Sequence, residues 1–447
     1  MKKSICLYFQ VHQPTRLRLY RFFEIGKDSH YFDDFANRTI VRRIAERCYL
    51  PANAMLLDMI NASNGQFKVA FSISGSVLEQ FDRHCPEVIE SFKKLVDTGC
   101  VELLAETYNH SLVSLASPIG FKMQVEKHKE IIQKYFGVTP VTFRNTELIY
   151  SDAIGAQVYE MGFKTMLTEG AKHVLGWRSP NYVYNGATAP KLKLLLRNSA
   201  LSDDIAFRFS DRSWNNWPLT CDKYLAWLNA NEGEIVNLFM DYETFGEHQR
   251  AESGIFEFMK NLAPTVLADG GWEFVTPAQA AKKHASIGDM DVEDPISWAD
   301  EERDTSAWLG NELQQDAYNK LYGLVEKLGL VNDEDLWQEH SHLQESDHLY
   351  YMCTKFFSDG SVHKYFNPYD TPYEAFINYM NVLSDFTIRL DDAIKTGVTK
   401  KEKDEEVVIV TPINRPVDKV KKNPVRKSTA AKAPAKKASA KKPAAKK

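Results

Sequence analysis

The chain opens on Ile5-Cys6-Leu7-Tyr8-Phe9, an almost unbroken apolar run that gives way to polar residues. A parallel strand buried on both faces reads this way. Short runs of the same kind recur at residues 67–73, 101–104, 141–143, 163–167, 205–209 and 235–240. Between most of them the apolar positions change to helical spacing. Over 88–96, Ile89, Phe92 and Val96 share one face, and the pattern over 119–136 stops at Gly137, a residue suited to a left-handed C-cap. Strands alternating with helices predict an α/β fold with a parallel sheet, and seven strand runs fit a barrel better than a small open sheet.

Beyond about residue 280 the pattern loses its strand runs. Residues 308–328 and 375–390 read as helices, with a loop at 349–364. The expected organisation is a barrel over 1–280, a helical subdomain over 281–398 that completes the cleft, a charged linker or edge segment over 399–413, and a Lys/Ala/Pro-rich tail over 414–447. The last lacks aromatic residues and cannot form a core, so disorder is expected.

Charge sharpens that division. From Lys419 to Lys447 there are twelve Lys or Arg and no Asp or Glu; removing that +12 from the net −5 leaves −17 for residues 1–418. An acidic body is a poor nucleic-acid surface, while the basic tail is a candidate for contact with polyanions. No segment approaches the roughly 20 apolar residues of a membrane span. The six cysteines are scattered without a CxxC pair, which argues against a disulfide framework and a thiolate zinc site. With no secretory signal at the N-terminus, the expected location is the cytoplasm, without a membrane partner.

Four polar clusters lie at or just past strand ends, where parallel α/β proteins build their sites. They are His12-Gln13-Pro14; Glu102 followed by Glu106-Thr107-Tyr108-Asn109-His110-Ser111; Arg144-Asn145-Thr146-Glu147; and Asp241-Tyr242-Glu243 with His248 downstream. Arg144 and Glu147 adjoin an apolar run, where charges are costly unless paired or used; a structural ion pair is the competing account. Asp241 and Glu243 would share a face if the strand continues, and close like charges push one carboxyl pKa upward, as a general acid needs. A Glu and an Asp at one end of a sheet are the groups that glycoside cleavage uses.

These clusters resemble the five short motifs of glycoside hydrolase family 57, in order, and in particular its α-amylase-like branch. The motifs are His12-Gln13-Pro14; the segment from Glu102 through His110-Ser111; Phe143-Arg144-Asn145-Thr146-Glu147-Leu148; Met240 through Gly246; and Trp298 with Glu301, Arg303, Asp304 and Ala307-Trp308-Leu309-Gly310-Asn311. The resemblance spans about residues 3 to 390. It implies a distorted (β/α)7 barrel with a helical C-terminal region and a retaining mechanism on α-1,4-glucans, polysaccharide or oligosaccharide, with no cofactor or metal. By motif match Glu147 is the implied nucleophile and Asp241 the acid/base. His12, Gln13, Glu102, His110, Arg144, Glu243, Asp304 and Trp308 are the implied substrate contacts. Arg-Asn-Thr before the glutamate, where many members carry Trp-Leu-Pro, points to the α-amylase-like branch rather than to 4-α-glucanotransferase or branching activity. Trp177, Tyr182, Tyr184, Trp214 and Trp217 are candidate stacking platforms; closure of long loops is the alternative role for each.

Two other readings compete. A metal-dependent polysaccharide deacetylase would draw on His12, His110, Asp241 and His248, although no helix carries a paired-histidine ligand motif. A non-enzymatic glucan- or nucleic-acid-associated protein would use the tail, which resembles the basic ends of linker histones.

Overall fold

In the computed structural model, residues 2–355 and 367–403 are described. Ten strands form one sheet: β1 (Lys3–Val11), β2 (Val69–Ile73), β3 (Val101–Leu103), β4 (Thr142–Arg144), β5 (Thr165–Glu169), β6 (Val183–Gly186), β7 (Lys193–Arg197), β8 (Ile235–Asp241), β9 (Trp272–Phe274) and β10 (Ser286–Met290). Seven of them close a ring of parallel strands. β1 pairs with β2 and β8, β2 with β3, β4 with β5, β5 with β7, and β7 meets β8 through Arg197 and Asn237. The gap between β3 and β4 is bridged by Ala105 opposite Phe143. The (β/α)7 barrel is therefore closed, and distorted where single residue pairs complete it.

The period of two along β1 explains the interior. Ile5, Leu7 and Phe9 pack outward against the helices, while Cys6 and Tyr8 point into the barrel with Ala70, Leu167, Leu195 and Phe239. One step further along the same inner face comes Gln10, buried opposite Ser72 and Asp241. The lining thus turns from apolar to polar toward the C-terminal mouth.

Most runs fold as their patterns predict, including the helices Pro86–Val96 and Pro118–Phe136, the latter capped by Gly137 at φ 70°. One strand assignment is corrected. Residues 205–209 end the helix Ser199–Ala206, started by the Asn198 side chain accepting from Leu201 N. Leu201 and Ile205 bury one helical face, and the apparent alternation at 205–209 is a helix end. The strand is the neighbouring run Lys193–Arg197. The sheet also continues past residue 280, since β10 pairs with β6. The predicted helix over 308–328 is three, Ser306–Leu309, Glu312–Tyr322 and Val325–Leu328, separated at Gly310 and Gly323, and the second is capped by Asn311. A single helix, Pro372–Lys403, covers 375–390 and the start of the expected linker. Ser346–Tyr350 is helical where a loop was expected from 349. The rest of the linker, an edge strand considered at 407–410, and the 414–447 tail lie outside the described residues. No helix among the described residues is long and apolar enough to cross a membrane. All six cysteines are free thiols, five of them buried.

Candidate active site

At the barrel mouth is a cavity of about 170 Å³ lined by residues that follow β1, β3, β4 and β8 and by two C-terminal segments. Glu147 stands at its centre. It follows β4 in a tight turn where Glu147 and Leu148 both take left-handed backbone conformations, φ 55° and 54°. A non-glycine residue seldom adopts that region without compensation, and strain of this kind concentrates at functional sites. Both carboxylate oxygens are held: His110 Nε2 donates to Oε1 at 2.8 Å and Trp298 Nε1 donates to Oε2 at 2.6 Å. Burial alone would raise its pKa, but the His110 hydrogen bond and charge, with the Arg144 guanidinium, hold it below the usual carboxylate range.

His110 is itself built into place. Its Nδ1 donates to Glu106 at 3.2 Å, and Glu106 also accepts from Gln10 Nε2 at 3.2 and 3.4 Å. Burial pulls the imidazole pKa down, yet the bonds to Glu106 and Glu147 raise it to about 9, so it is an imidazolium near neutrality. The His12 ring stacks on it, centroids 4.2 Å apart, and is fixed by Ser74 Oγ at 2.7 Å and Asp347 Oδ2 at 3.0 Å.

Asp241 ends β8 in the opposite environment. Its carboxyl has no hydrogen-bond partner among the described residues; burial and the charge of Glu147 raise its pKa to about 6. The strand stops there, and Glu243 lies in the following turn, Tyr242–Thr244. Glu243 accepts from Tyr49 Oη and from Gln13 Nε2 at 3.4 Å; burial and the Asp241 charge push its pKa up to about 8. One carboxylate is thus held ionised and two carboxyls are held toward the neutral form in a single cavity.

The sequence-predicted residues separate clearly. His12, Gln13, His110, Glu147, Asp241, Glu243 and Trp308 line the cavity. Arg144 lies buried beside it, its guanidinium 6.0 Å from the Tyr8 ring and 5.0 Å from Trp298. Two expectations are corrected. Glu102 is at the other end of the barrel, accepting from Thr142 Oγ1 at 2.5 Å and Ala278 N at 2.9 Å; Glu106, four residues further along, is the acid that holds the cavity-lining His110 from behind. Asp304 accepts from Ser306 N at 2.8 Å, just before the 306–309 helix, and it does not line the cavity. The proposed stacking residues are elsewhere too: Trp177 is 95% exposed, Tyr182 packs on the helical core, Tyr184 is buried, Trp214 rests on Trp227 and Trp217 near Arg212. Phe207, Trp298, Tyr350 and Tyr351 supply the aromatic lining instead. Asp347 and Arg197 also line the cavity and stand outside the sequence-predicted set. The polar run Glu345-Ser346-Asp347-His348 was a visible signal for the first; Arg197, closing a triple-leucine run, was one for the second.

No group of three or more His, Cys, Asp or Glu among the described residues has metal-holding geometry. The ring nitrogens of His12 and His110, which the deacetylase reading needs as ligands, are engaged with Ser74, Asp347, Glu106 and Glu147.

A barrel whose mouth brings Glu147 and Asp241 into one cavity has the two carboxyl groups that glycoside cleavage uses. The profile of Glycosyl hydrolase family 57 matches residues 6–293. A protein of Methanocaldococcus jannaschii named "Putative alpha-amylase" is 40% identical over 430 residues, 90% of each chain. The chain belongs to glycosyl hydrolase family 57. Among solved structures, a branching enzyme of that family from Thermococcus kodakaraensis has a similar fold, with a TM-score of 0.64 at 13% identity over 93% of this chain and 98% of that one. The α-amylase AmyC of Thermotoga maritima gives 0.56 at 13% identity, over 89% and 94%.

Proposed function

We propose that this protein is a retaining α-glucan-active enzyme in which Glu147 is the nucleophile and Asp241 the general acid/base. The observation that carries the reading is geometric: Glu147 and Asp241 line one cavity, where Glu147 accepts hydrogen bonds on both oxygens and Asp241 has no donor among the described residues; burial and the Glu147 charge raise the Asp241 pKa to about 6, while His110 and Arg144 lower that of Glu147. In the first step the Asp241 carboxyl gives its proton to the glycosidic oxygen as Glu147 attacks C1. The C1–O bond breaks, a glycosyl ester forms, and the departing sugar leaves with the proton. In the second step the Asp241 carboxylate takes a proton from the incoming hydroxyl, whose oxygen attacks C1 and releases Glu147.

The incoming hydroxyl belongs to water in an α-amylase and to a second sugar in a transferase. The 40% identical relative bears an α-amylase name. Structures of similar fold also include branching enzymes and a 4-α-glucanotransferase from Thermococcus litoralis. The two outcomes share every residue named above. Product analysis on maltooligosaccharides and soluble glycogen, beside Glu147→Gln and Asp241→Asn, tests the reading. New reducing ends of α-configuration mean hydrolysis, and redistributed chain lengths without new ends mean transfer. Activity that persists in both variants rejects the reading. The twelve-charge tail is proposed as a polyanion tether, tested by deleting residues 415–447 and measuring low-salt polyanion binding.

A further inference from the structure

Trp298 arrives at the site from outside the barrel strands, yet it is fixed to Glu147 at two points. Its indole Nε1 donates to Glu147 Oε2 at 2.6 Å, and its backbone N donates to the Glu147 carbonyl at 3.2 Å. The indole is in turn held by cations. The Arg144 guanidinium lies 5.0 Å and the Arg197 guanidinium 5.5 Å from its ring centroid, both within cation–π range. Arg303 Nη1 donates to the Trp298 carbonyl.

Arg144 makes the arrangement unusual. It is fully buried, and none of its three guanidinium nitrogens has a hydrogen-bond partner among the described residues. Burying an unpaired cation is costly. Two features offset that cost here: the Tyr8 and Trp298 ring faces, and the negative field of Glu106, Glu147 and Asp241. Arg197, by contrast, is tied down: Nε donates to the Phe239 carbonyl at 2.8 Å and Nη1 to Glu169 at 3.3 Å, and Nη2 pairs with Asp203. The ring is therefore steadied from two different strands of the barrel, β4 and β7.

We propose that Trp298 is a positioning residue for the nucleophile: its indole N–H, oriented by the flanking guanidiniums of Arg144 and Arg197, fixes the plane in which the Glu147 carboxylate faces the sugar carbon. Glu147 has two oxygens and a rotatable terminal torsion. His110 fixes one oxygen, and a second donor is needed to stop rotation about that bond. Trp298 is that donor. The inference rests on the reading of Glu147 as nucleophile.

Trp298→Phe tests it, because it removes the N–H and leaves a ring for both guanidiniums. The expected result is a folded protein with a thermal midpoint near wild type, KM within a few-fold, and kcat reduced about ten- to hundredfold, the range for one lost hydrogen bond to a charged group. The acid limb of the pH–rate profile should move to higher pH, since Glu147 loses a bond that favours its ionised form. The loss should persist on α-maltosyl fluoride, whose leaving group needs no proton, while in Asp241→Asn the loss in kcat/KM, which reports the first step, should be largely relieved on that substrate and kcat should stay low because the second step still lacks its base. Full wild-type turnover of the fluoride, or a fall in kcat with an unmoved acid limb, overturns the proposal. Should Trp298→Phe not fold, Trp298→Met is read by the same two criteria. Glu147→Gln is run in parallel. If it stays active, the nucleophile assignment fails; if it is dead while Trp298→Phe is indistinguishable from wild type, the positioning role alone fails.

Discussion

Glu147 and Asp241 carry the same functional group in contrary surroundings, and the difference lies in the donors. Glu147 receives hydrogen bonds on both oxygens; Asp241 receives none from the described residues and feels the negative charge of Glu147. Under the proposed mechanism the active form has Glu147 ionised and Asp241 protonated. Activity should rise with pH as Glu147 loses its proton, below the usual carboxylate range, and fall as Asp241 loses its own near 6. A bell-shaped kcat/KM profile centred on the acid side of neutrality is the expected outcome, with the two limbs belonging to the coupled pair. A plateau extending to pH 8 would contradict it. Residue type and position at strand ends made Glu147, Asp241, His110 and His12 legible as chemistry-bearing. The same signals mislead at Glu102. It lies four residues before Glu106 and at the other end of the barrel, and only the point where β3 ends separates them.

At the scale of elements, the turn after β8 and the long N-terminal helical segment interlock. Residues Ala45–Tyr49 form a π-helical turn that brings Tyr49 Oη to Glu243. The turn can approach because Gly246, at φ 108°, has no side chain: a Cβ there would lie 1.9 Å from the Arg47 carbonyl oxygen. Gly246→Ala is expected to destabilise the protein by about 2–4 kcal/mol, since it combines a backbone clash with an unfavourable φ. Denaturant unfolding measures this directly. Activity of the residual folded fraction should fall as well, because the shift separates Tyr49 from Glu243.

For the whole molecule, the buried charge network sets how stability depends on pH. His110 and His342 have folded pKa values raised to about 9, the latter by Glu345 and Glu79 against burial. Their contribution is complete below about 6.5 and is lost as pH rises through 9. Glu243, raised to about 8, acts in the same direction, losing its contribution between 4.5 and 8. On the acid side, Glu106, Glu345 and Asp347 are depressed, so their contribution disappears as pH falls below the ordinary carboxylate range. His340, buried and lowered to about 4, loses its contribution between 6.5 and 4. The thermal midpoint should therefore peak near pH 6 and decline toward both 4 and 9, as a calorimetric series would record. Deleting residues 415–447 should leave that midpoint and the turnover number unchanged while abolishing salt-sensitive polyanion binding. Retained binding would end the tether proposal.

The sequence by itself determined the α/β class, the parallel strands and the long helix ending at Gly137. These follow from local periodicity, which the backbone imposes on each segment alone. It also marked the polar clusters after β1, β3, β4 and β8, because a strand and the loop it feeds are adjacent in the chain. The tertiary structure decided what periodicity does not encode. Ring closure depends on two single-pair junctions, Ala105 with Phe143 and Arg197 with Asn237, and the 205–209 run ends a helix because Asn198 caps one whose apolar face packs inward. Trp298 and Asp347 reach Glu147 and His12 across 151 and 335 positions of sequence. Their pairing, and with it the ionisation of each carboxyl, is set by burial and by charges brought together only when the whole chain packs.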